Sequence, residues 1–156
     1  MKNQHAKLVS TCTQLYELDY NLWALETAKQ LQSKNFAGLD MDNLLEEVLD
    51  LSQREKNKLE SLLIRLWEHL LKWRYWESEL ERNRGHWEAE ILNFRLQINR
   101  LLKRSPSLNT FAEQVLSDCY LDGRKIASKR SQLPLDTFPC QPIATLEQLL
   151  DEAWLP

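Results

Sequence analysis

The side chains that could perform acid–base, nucleophilic or metal chemistry are few and scattered in this chain. No His-Glu-x-x-His motif occurs, no histidine stands three residues after a glutamate as in di-iron bundle sites, and no two cysteines form a Cys-x-x-Cys pair. With only three glycines, the chain has no Gly-rich phosphate loop. We therefore expect neither a metal site nor a cofactor. The histidines and cysteines are His5, His69, His86, Cys12, Cys119 and Cys140.

His69 is the strongest single candidate. On a helical wheel of about 100° per residue it borders an apolar arc, with Lys72 close by on the polar side. Partial burial there would let the imidazole titrate near neutrality, and a carboxylate from another helix, such as Glu26 or Glu47, would complete an acid–base pair. We favour the simpler interpretation, in which a histidine at the edge of the core forms a hydrogen bond that fixes helix packing.

Asp19 and Glu26 lie on one side of the first predicted helix. They are seven residues apart, which places them about 10 Å apart along the helix axis. That distance is too great for one metal ion without a third ligand between them, so a capping or salt-bridge role is favoured. Together with His69, Lys72 and Glu47 they make up the candidate pocket.

Length and composition are those of an ordinary globular protein. The chain has 156 residues, of which 43% are hydrophobic and 28% charged, and its net charge is −3. These values fit a single domain with a sizeable core. The N-terminus lacks a signal-peptide pattern, no apolar run reaches the roughly 20 residues of a membrane span, and the cysteines are odd in number. We expect a cytoplasmic protein without a membrane span.

Residues 59–76 predict a helix that is apolar around most of its circumference. Their apolar side chains fill an arc of roughly 240°, whereas a surface helix needs an apolar stripe of only about 100°. Other helices should therefore surround this central helix. Its predicted core residues are Leu59, Leu62, Leu63, Ile64, Leu66, Trp67, Leu70, Leu71, Trp73 and Trp76.

The remaining elements follow from apolar periodicity and from capping residues. We predict a first helix from about Thr13 to Ser33, a short separate helix that ends near Leu51, and a capping box at Ser52–Glu55 that begins the central helix. A break near Asn83 and Gly85 precedes a fourth helix to about residue 104, and a fifth follows Ser105-Pro106.

The C-terminal residues 132–156 are predicted to form a docking segment. Three prolines in residues 131–144 favour extended chain, and a capping box from Thr145 to Gln148 begins a short helix that must dock on another surface to be stable. The predicted fold is an all-α, single-domain, up-and-down-like bundle of four to five helices around the Trp-rich central helix. Its core covers about residues 13–131.

Several strings in the chain resemble a known family. They are YELDYNLWALETAKQLQ, GLDMDNLLEEV, HLLKWRYW, a lone Trp87, SPSL and the closing FPCQPIATLEQLLDEAWLP. In this order they resemble the small helical proteins, abundant in cyanobacteria, that are catalogued as domain of unknown function twenty-nine. The resemblance covers the chain from about Tyr16 onward, and it implies an all-helical fold and no established activity. The Arg-Tyr-Trp after HLLKW departs from the family pattern.

Three functions remain open from the sequence. The first, which we favour, is a protein-interaction module or homo-oligomer, with Trp76, Trp154 and Leu155 as its candidate interface. The second is an enzyme or small-ligand-binding protein that uses the candidate pocket, and it requires those side chains to converge within hydrogen-bond reach around a cavity.

The third function is weak binding of nucleic acid through basic helix ends. Cations in the last turn of a helix complement its dipole, and this already explains most of them, so we do not favour nucleic acid as a partner. The basic residues are Arg95, Arg100, Lys103, Arg104, Arg124, Lys125, Lys129 and Arg130.

Overall fold

The structure, a computed structural model, describes residues 14–156, which contain no strand. These described residues are 81% helical, so the predicted all-α class is confirmed. It divides into two compact units, an N-terminal unit that ends at Gln53 and a C-terminal unit, Arg54–Pro156. His5, Cys12 and the predicted helix start at Thr13 lie outside the described residues. The single-domain organisation stays a prediction.

The N-terminal unit contains helix α1 (Tyr20–Gln32), a 3₁₀ turn (Phe36–Gly38) and the first part of α2. Residues 14–18 are also helical, and the helical conformation is interrupted at Asp19. The Asp19 carboxylate accepts a hydrogen bond from the Leu22 N–H at 2.9 Å and so caps α1, because the first N–H groups of a helix have no partner within it. The capping role favoured from the sequence is confirmed.

Helix α2 runs without interruption from Met41 to Tyr75. The predicted separate helix ending near Leu51 and the capping box at Ser52 are therefore wrong. The intervening sequence, SQREKNK, contains neither Gly nor Pro and has several strong helix formers, so nothing in it ends a helix. Glu55 instead binds Arg104 and accepts a hydrogen bond from the Ser105 hydroxyl at 2.9 Å.

Helix α3 covers Glu77–Arg104, and the non-helical residue Trp76 separates it from α2. The break predicted near Asn83 and Gly85 is wrong. One exposed glycine costs a helix only about 1 kcal/mol, which the long flanking helical sequence tolerates. The Asn83 amide nitrogen donates to the Glu79 carbonyl at 2.9 Å, a bond within the helix.

Helix α4 covers Leu108–Ser131 and ends at Gln132 in a left-handed conformation, with φ of 59°. Cys119 lies on its buried face, as predicted, and burial raises the pKa of this thiol to about 12. Helix α4 approaches α2 closely at Gly123, where an added Cβ would lie 2.8 Å from the Trp67 Cβ and 2.9 Å from the Ile64 carbonyl oxygen.

The central part of α2 is buried on nearly all sides, which confirms the prediction from its apolar arc. Trp67 is fully buried, and its ring meets the edge of Tyr120 at a centroid distance of 5.1 Å. The buried apolar residues of this part are Leu59, Leu62, Leu63, Leu66, Trp67, Leu70, Leu71 and Trp73.

The C-terminal segment, residues 132–156, docks on its own chain. It contains a 3₁₀ turn (Leu135–Thr137) and a five-residue helix, α5 (Leu146–Leu150), whose predicted capping box between Thr145 and Gln148 is present. Phe138 and Leu149 from this segment are buried in the core of the C-terminal unit. The apolar face predicted for the terminal helix is therefore covered within the C-terminal unit.

Two buried arginines hold the C-terminal segment by its backbone. Arg124, on α4, donates from Nε to the Phe138 carbonyl at 2.9 Å and from Nη2 to the Leu135 carbonyl at 3.0 Å. Arg95, on α3, is 1% exposed and donates from Nε to the Leu149 carbonyl at 2.8 Å. The segment has little regular structure, so these guanidinium groups supply donors to the Phe138 and Leu149 carbonyls, which have no backbone donor among the described residues.

We predict that Gly123→Ala destabilises the protein by about 1–3 kcal/mol, because the added methyl must push α2 and α4 apart. Equilibrium urea unfolding measures the effect. Gly85→Ala is the matched control, since Gly85 is in an exposed helical turn with nothing within 4 Å of its added Cβ. That change should stabilise by about 1 kcal/mol. Equal effects of the two substitutions would contradict the close approach.

We also predict that Arg95→Gln destabilises the protein by about 1–3 kcal/mol, because the buried Leu149 carbonyl loses its donor. Urea unfolding measures the loss, and limited proteolysis should cut residues 132–156 sooner in the variant. Arg82→Gln, an exposed change on the same helix, is the control and should leave both measurements unchanged. A variant as stable and as protease-resistant as the control would show that Arg95 does not hold the segment.

Candidate functional site

Glu47 is the centre of a polar cluster in the N-terminal unit. Its two carboxylate oxygens accept hydrogen bonds from the hydroxyls of Tyr16, at 2.9 Å, and Tyr20, at 2.7 Å. The Glu47 carboxylate, through its hydrogen bond first, raises the pKa of Tyr16 to about 12. The two tyrosine rings also meet Trp23 edge-on or tilted, at centroid distances of 4.9 and 5.6 Å. The cluster therefore ties α2 to α1 and the residues before it.

Glu26, the other acidic pocket candidate on α1, lies 3.6 Å from the Lys29 ammonium, on its own helix. This ion pair is exposed and of the i,i+3 kind, which contributes only a few tenths of a kcal/mol. With Asp19 acting as a helix cap, the three acidic candidates of the N-terminal unit each have a partner within that unit. Glu26 thus forms a salt bridge, as favoured from the sequence, but with Lys29 of its own helix rather than with Lys72 or Arg74.

His69 lies at the edge of the core of the C-terminal unit. Its Nδ1 donates to the Arg65 carbonyl at 2.8 Å, which leaves Nε2 as the unprotonated nitrogen of the neutral ring. The ring meets Phe94 at a centroid distance of 5.2 Å and an angle of 60°. Burial, and secondly the charge of Lys72, lowers the pKa of His69, so the imidazole is neutral at pH 7.

Lys72 belongs to a buried ion-pair network next to His69. Its ammonium lies 3.1 Å from one carboxylate oxygen of Glu68, and Arg130 Nε lies 2.9 Å from the same oxygen. The Lys72 ammonium is also 5.5 Å from the centre of the Trp87 ring. The Glu68 side chain is only 3% exposed, so both cations are needed to offset its desolvation.

An open cavity of about 470 Å³ lies beside His69. Charged groups of both signs line it, together with the ring of Phe94 and two isoleucines, and its volume falls within the range of small-molecule sites. The sequence analysis did not single out Glu68 or Glu90, although the i,i+4 spacing of Glu68 and Lys72 indicates an ion pair. It named Arg130 only among the basic helix ends. The lining residues are Ser61, Ile64, Arg65, Glu68, His69, Glu90, Phe94, Ile126 and Arg130.

The five predicted pocket residues are divided between the two units. His69 and Lys72 lie in the C-terminal unit and are both close to Glu68, whereas the other three lie in the N-terminal unit. Only His69 lines the cavity. A shared pocket, and ligand binding or catalysis at the cavity, stay predictions.

The predicted interface residues have different environments. Trp76 stacks on Trp87 at a centroid distance of 5.7 Å and an angle of 29°, and is half-buried. Trp154 is also half-buried and packs against the core, while Leu155 is 38% exposed. Only Leu155 is therefore freely available as an apolar contact.

Exposed apolar side chains concentrate in the N-terminal unit instead. Eleven of the large exposed hydrophobic residues lie there and five in the longer C-terminal unit. Leu18 is 83% exposed and Leu49 63%. The sequence analysis did not single out this surface. The eleven are Leu18, Tyr20, Leu22, Leu25, Leu31, Phe36, Met41, Leu45, Val48, Leu49 and Leu51.

Part of this surface is a regular stripe on α2. Met41, Leu45, Val48 and Leu49 recur at spacings of three and four residues, so they share one side of the helix, and we call them the α2 apolar stripe. Beside it run three exposed carboxylates spaced four residues apart, the α2 acidic row, which consists of Asp42, Glu46 and Asp50. An apolar stripe edged by one sign of charge is typical of a helix that binds a partner.

Two kinds of site are missing from the described part of the chain. Within residues 14–156, no three His, Cys, Asp or Glu side chains are grouped so that they could hold a metal ion. No helix of that part is long and apolar enough to cross a membrane.

The fold and these surfaces define a small all-helical protein with an exposed apolar N-terminal unit. The chain belongs to the family described as Domain of unknown function DUF29, whose model matches residues 15–155. The resemblance inferred from the sequence is thereby confirmed, and the family's description names no activity. No curated protein and no solved structure matches the chain.

We predict that His69 makes stability depend on pH. Because its pKa is lowered in the folded state, the unfolded chain binds the proton first as the pH falls, and stability present above about pH 6.5 is lost below it. The thermal unfolding midpoint, measured between about pH 7 and pH 5, should fall less steeply in His69→Gln than in the wild type. His86→Gln, at an exposed position, is the control and should keep the wild-type slope. A wild-type slope in His69→Gln would contradict the assignment.

Proposed function

We propose that this protein is a protein-interaction module that binds its partner through the α2 apolar stripe. The observation that carries the proposal is the concentration of exposed leucines and other large apolar residues in the N-terminal unit. Soluble monomers rarely expose contiguous apolar surface of this kind, and where they do it marks a binding site. The C-terminal segment does not supply this surface, because its apolar residues are largely docked on its own chain.

The charge of the N-terminal unit indicates the chemistry of the partner. Residues 14–53 contain eight Asp or Glu against two Lys or Arg, a net charge of −6. Two copies of this surface would repel each other, whereas a basic partner would be attracted. The partner that fits is an amphipathic helix with an apolar stripe edged by Lys or Arg, which would place its cations along the α2 acidic row.

The free thiols support a cytoplasmic location for such a module, which we propose as well. Neither Cys119 nor Cys140, the two cysteines in the described part of the chain, forms a disulfide. Reduced cysteines are the rule in the cytosol, where glutathione and thioredoxin keep thiols reduced.

The proposal predicts saturable binding of a synthetic peptide built from Leu and Lys in the pattern of an amphipathic helix. Fluorescence anisotropy of the labelled peptide measures the affinity. Replacing Leu45 and Leu49 together by Gln should weaken binding at least about tenfold, because each leucine buried on binding contributes about 1 kcal/mol or more. Glu46→Gln should weaken binding and reduce its dependence on salt.

Matched controls distinguish specific binding at this site from nonspecific hydrophobic binding. A double change of Leu92 and Leu121 to Gln removes two exposed leucines from the C-terminal unit and should leave the affinity unchanged. Equal weakening by both double changes, or equal binding of a peptide with the same composition in scrambled order, would refute the proposal. So would a concentration-dependent dimer that the change at Leu45 and Leu49 abolishes, since a second copy would then be the occupant.

A further inference from the structure

A second cavity, of about 540 Å³, lies between α2 and α3 in the C-terminal unit. It differs from the cavity beside His69 because no acidic side chain among the described residues lines it. Cations and side-chain amides supply its polar groups, and Leu101 forms an apolar wall. The lining residues are Lys58, Asn93, Gln97, Arg100, Leu101 and Arg104, and we call this cavity the basic groove.

Within residues 14–156, two of the three cations in the basic groove have no acidic partner. Arg104 forms an ion pair with Glu55, whose carboxylate also accepts a hydrogen bond from the Ser105 hydroxyl. Lys58 and Arg100 form no ion pair with any residue in the part of the chain that the structure describes. The groove therefore carries positive charge that no acidic side chain of the described chain neutralises by an ion pair.

The α3 side of the groove is a single row of hydrogen-bonding groups. Asn93, Gln97, Arg100 and Arg104 follow each other at spacings of three and four residues and extend about 16 Å along the helix. Gln97 donates to the Asn93 side-chain oxygen at 3.2 Å, which fixes that amide so that its own NH₂ group remains a donor. Opposite this row, Lys58 adds an ammonium from α2.

Phosphate is the group that this donor set recognises best. It carries more than one negative charge near neutral pH and several acceptor oxygens, and the planar fork of an arginine binds two of them at once. We propose that the basic groove binds a phosphate-bearing small molecule, with Arg100 and Lys58 in direct contact with the phosphate oxygens. This site is independent of the partner surface on the N-terminal unit.

The size and surroundings of the groove favour a small ligand over a nucleic acid. A volume of about 540 Å³ matches small-molecule pockets. Arg95 and Arg124, which the sequence counts among the basic helix ends, are buried and bind carbonyls of the C-terminal segment instead. The cations left in the groove form a local group rather than a long basic stripe.

The test is titration of the ¹⁵N-labelled full chain with sodium pyrophosphate at constant ionic strength, followed by NMR. Saturable shifts of the Asn93 and Gln97 side-chain amides and of the Arg100 Nε–H are expected. Arg100→Gln and Lys58→Gln should each raise the dissociation constant about tenfold, the loss of one charge-assisted contact. Lys103→Gln removes the same charge from an exposed residue of α3 that does not line the groove, and it should change the constant less than twofold.

Several outcomes would overturn the proposal. Shifts that do not saturate, or that map outside the groove, would show a diffuse ion atmosphere. Equal weakening by Lys103→Gln and Arg100→Gln would show attraction by net charge alone. Binding of oligothymidylate that tightens steadily with its length, and that far exceeds pyrophosphate binding, would assign the groove to nucleic acid. Peptide binding at the α2 apolar stripe should be unaffected by Arg100→Gln, so the two proposals fail separately.

Discussion

The guanidinium groups of Arg95 and Arg124 donate hydrogen bonds to buried backbone carbonyls that have no partner within a helix. The central part of α2 is apolar on almost every side and therefore needs cover from every direction. Helices α3 and α4 supply most of that cover, and the C-terminal segment contributes Phe138 and Leu149. A segment with so little regular structure can be buried only if its backbone acceptors find donors. Each arginine brings several donors on one rigid plane, which suits this task better than lysine would.

The same requirement explains why the two units differ so much at their surfaces. In the C-terminal unit the segment completes a shell around α2, and few large apolar residues remain exposed. In the described part of the N-terminal unit, residues 14–53, the buried apolar residues are Trp23 and Leu39, and the helices present leucines outward beside carboxylates. Small units bury a smaller share of their apolar surface, and the remainder is available for association. Stability and recognition are in this sense carried by different parts of one chain.

The sequence predicted the all-helical class and the buried central helix correctly, but it placed two helix boundaries wrongly. It also did not identify the exposed apolar surface of the N-terminal unit. The periodic leucines and tryptophans of residues 59–73 predict a buried helix, because only a helix surrounded by other elements buries that much apolar surface. Capping residues were less informative: Ser52 and Glu55 fit a capping box, yet the surrounding helix formers carry α2 through them. The roles of Arg95 and Arg124 were not predictable, since the sequence next to an arginine on a helix does not show whether a distant segment packs over its side chain. The uncovered surface was also hidden, because an apolar stripe does not say whether another element packs on it.

Burial of Cys119 on α4 has a chemical consequence. Only the thiolate attacks peroxides and alkylating reagents, and a pKa of about 12 leaves almost none of it at neutral pH. The Cys119 sulfur also lies 3.8 Å from the Glu60 carbonyl oxygen, where the protonated thiol is the form that can donate. Cys140, by contrast, is exposed on the C-terminal segment. Of the two cysteines in the described chain, Cys140 will therefore accumulate oxidative damage and covalent labels. Cys119 remains an unreactive apolar side chain of the core.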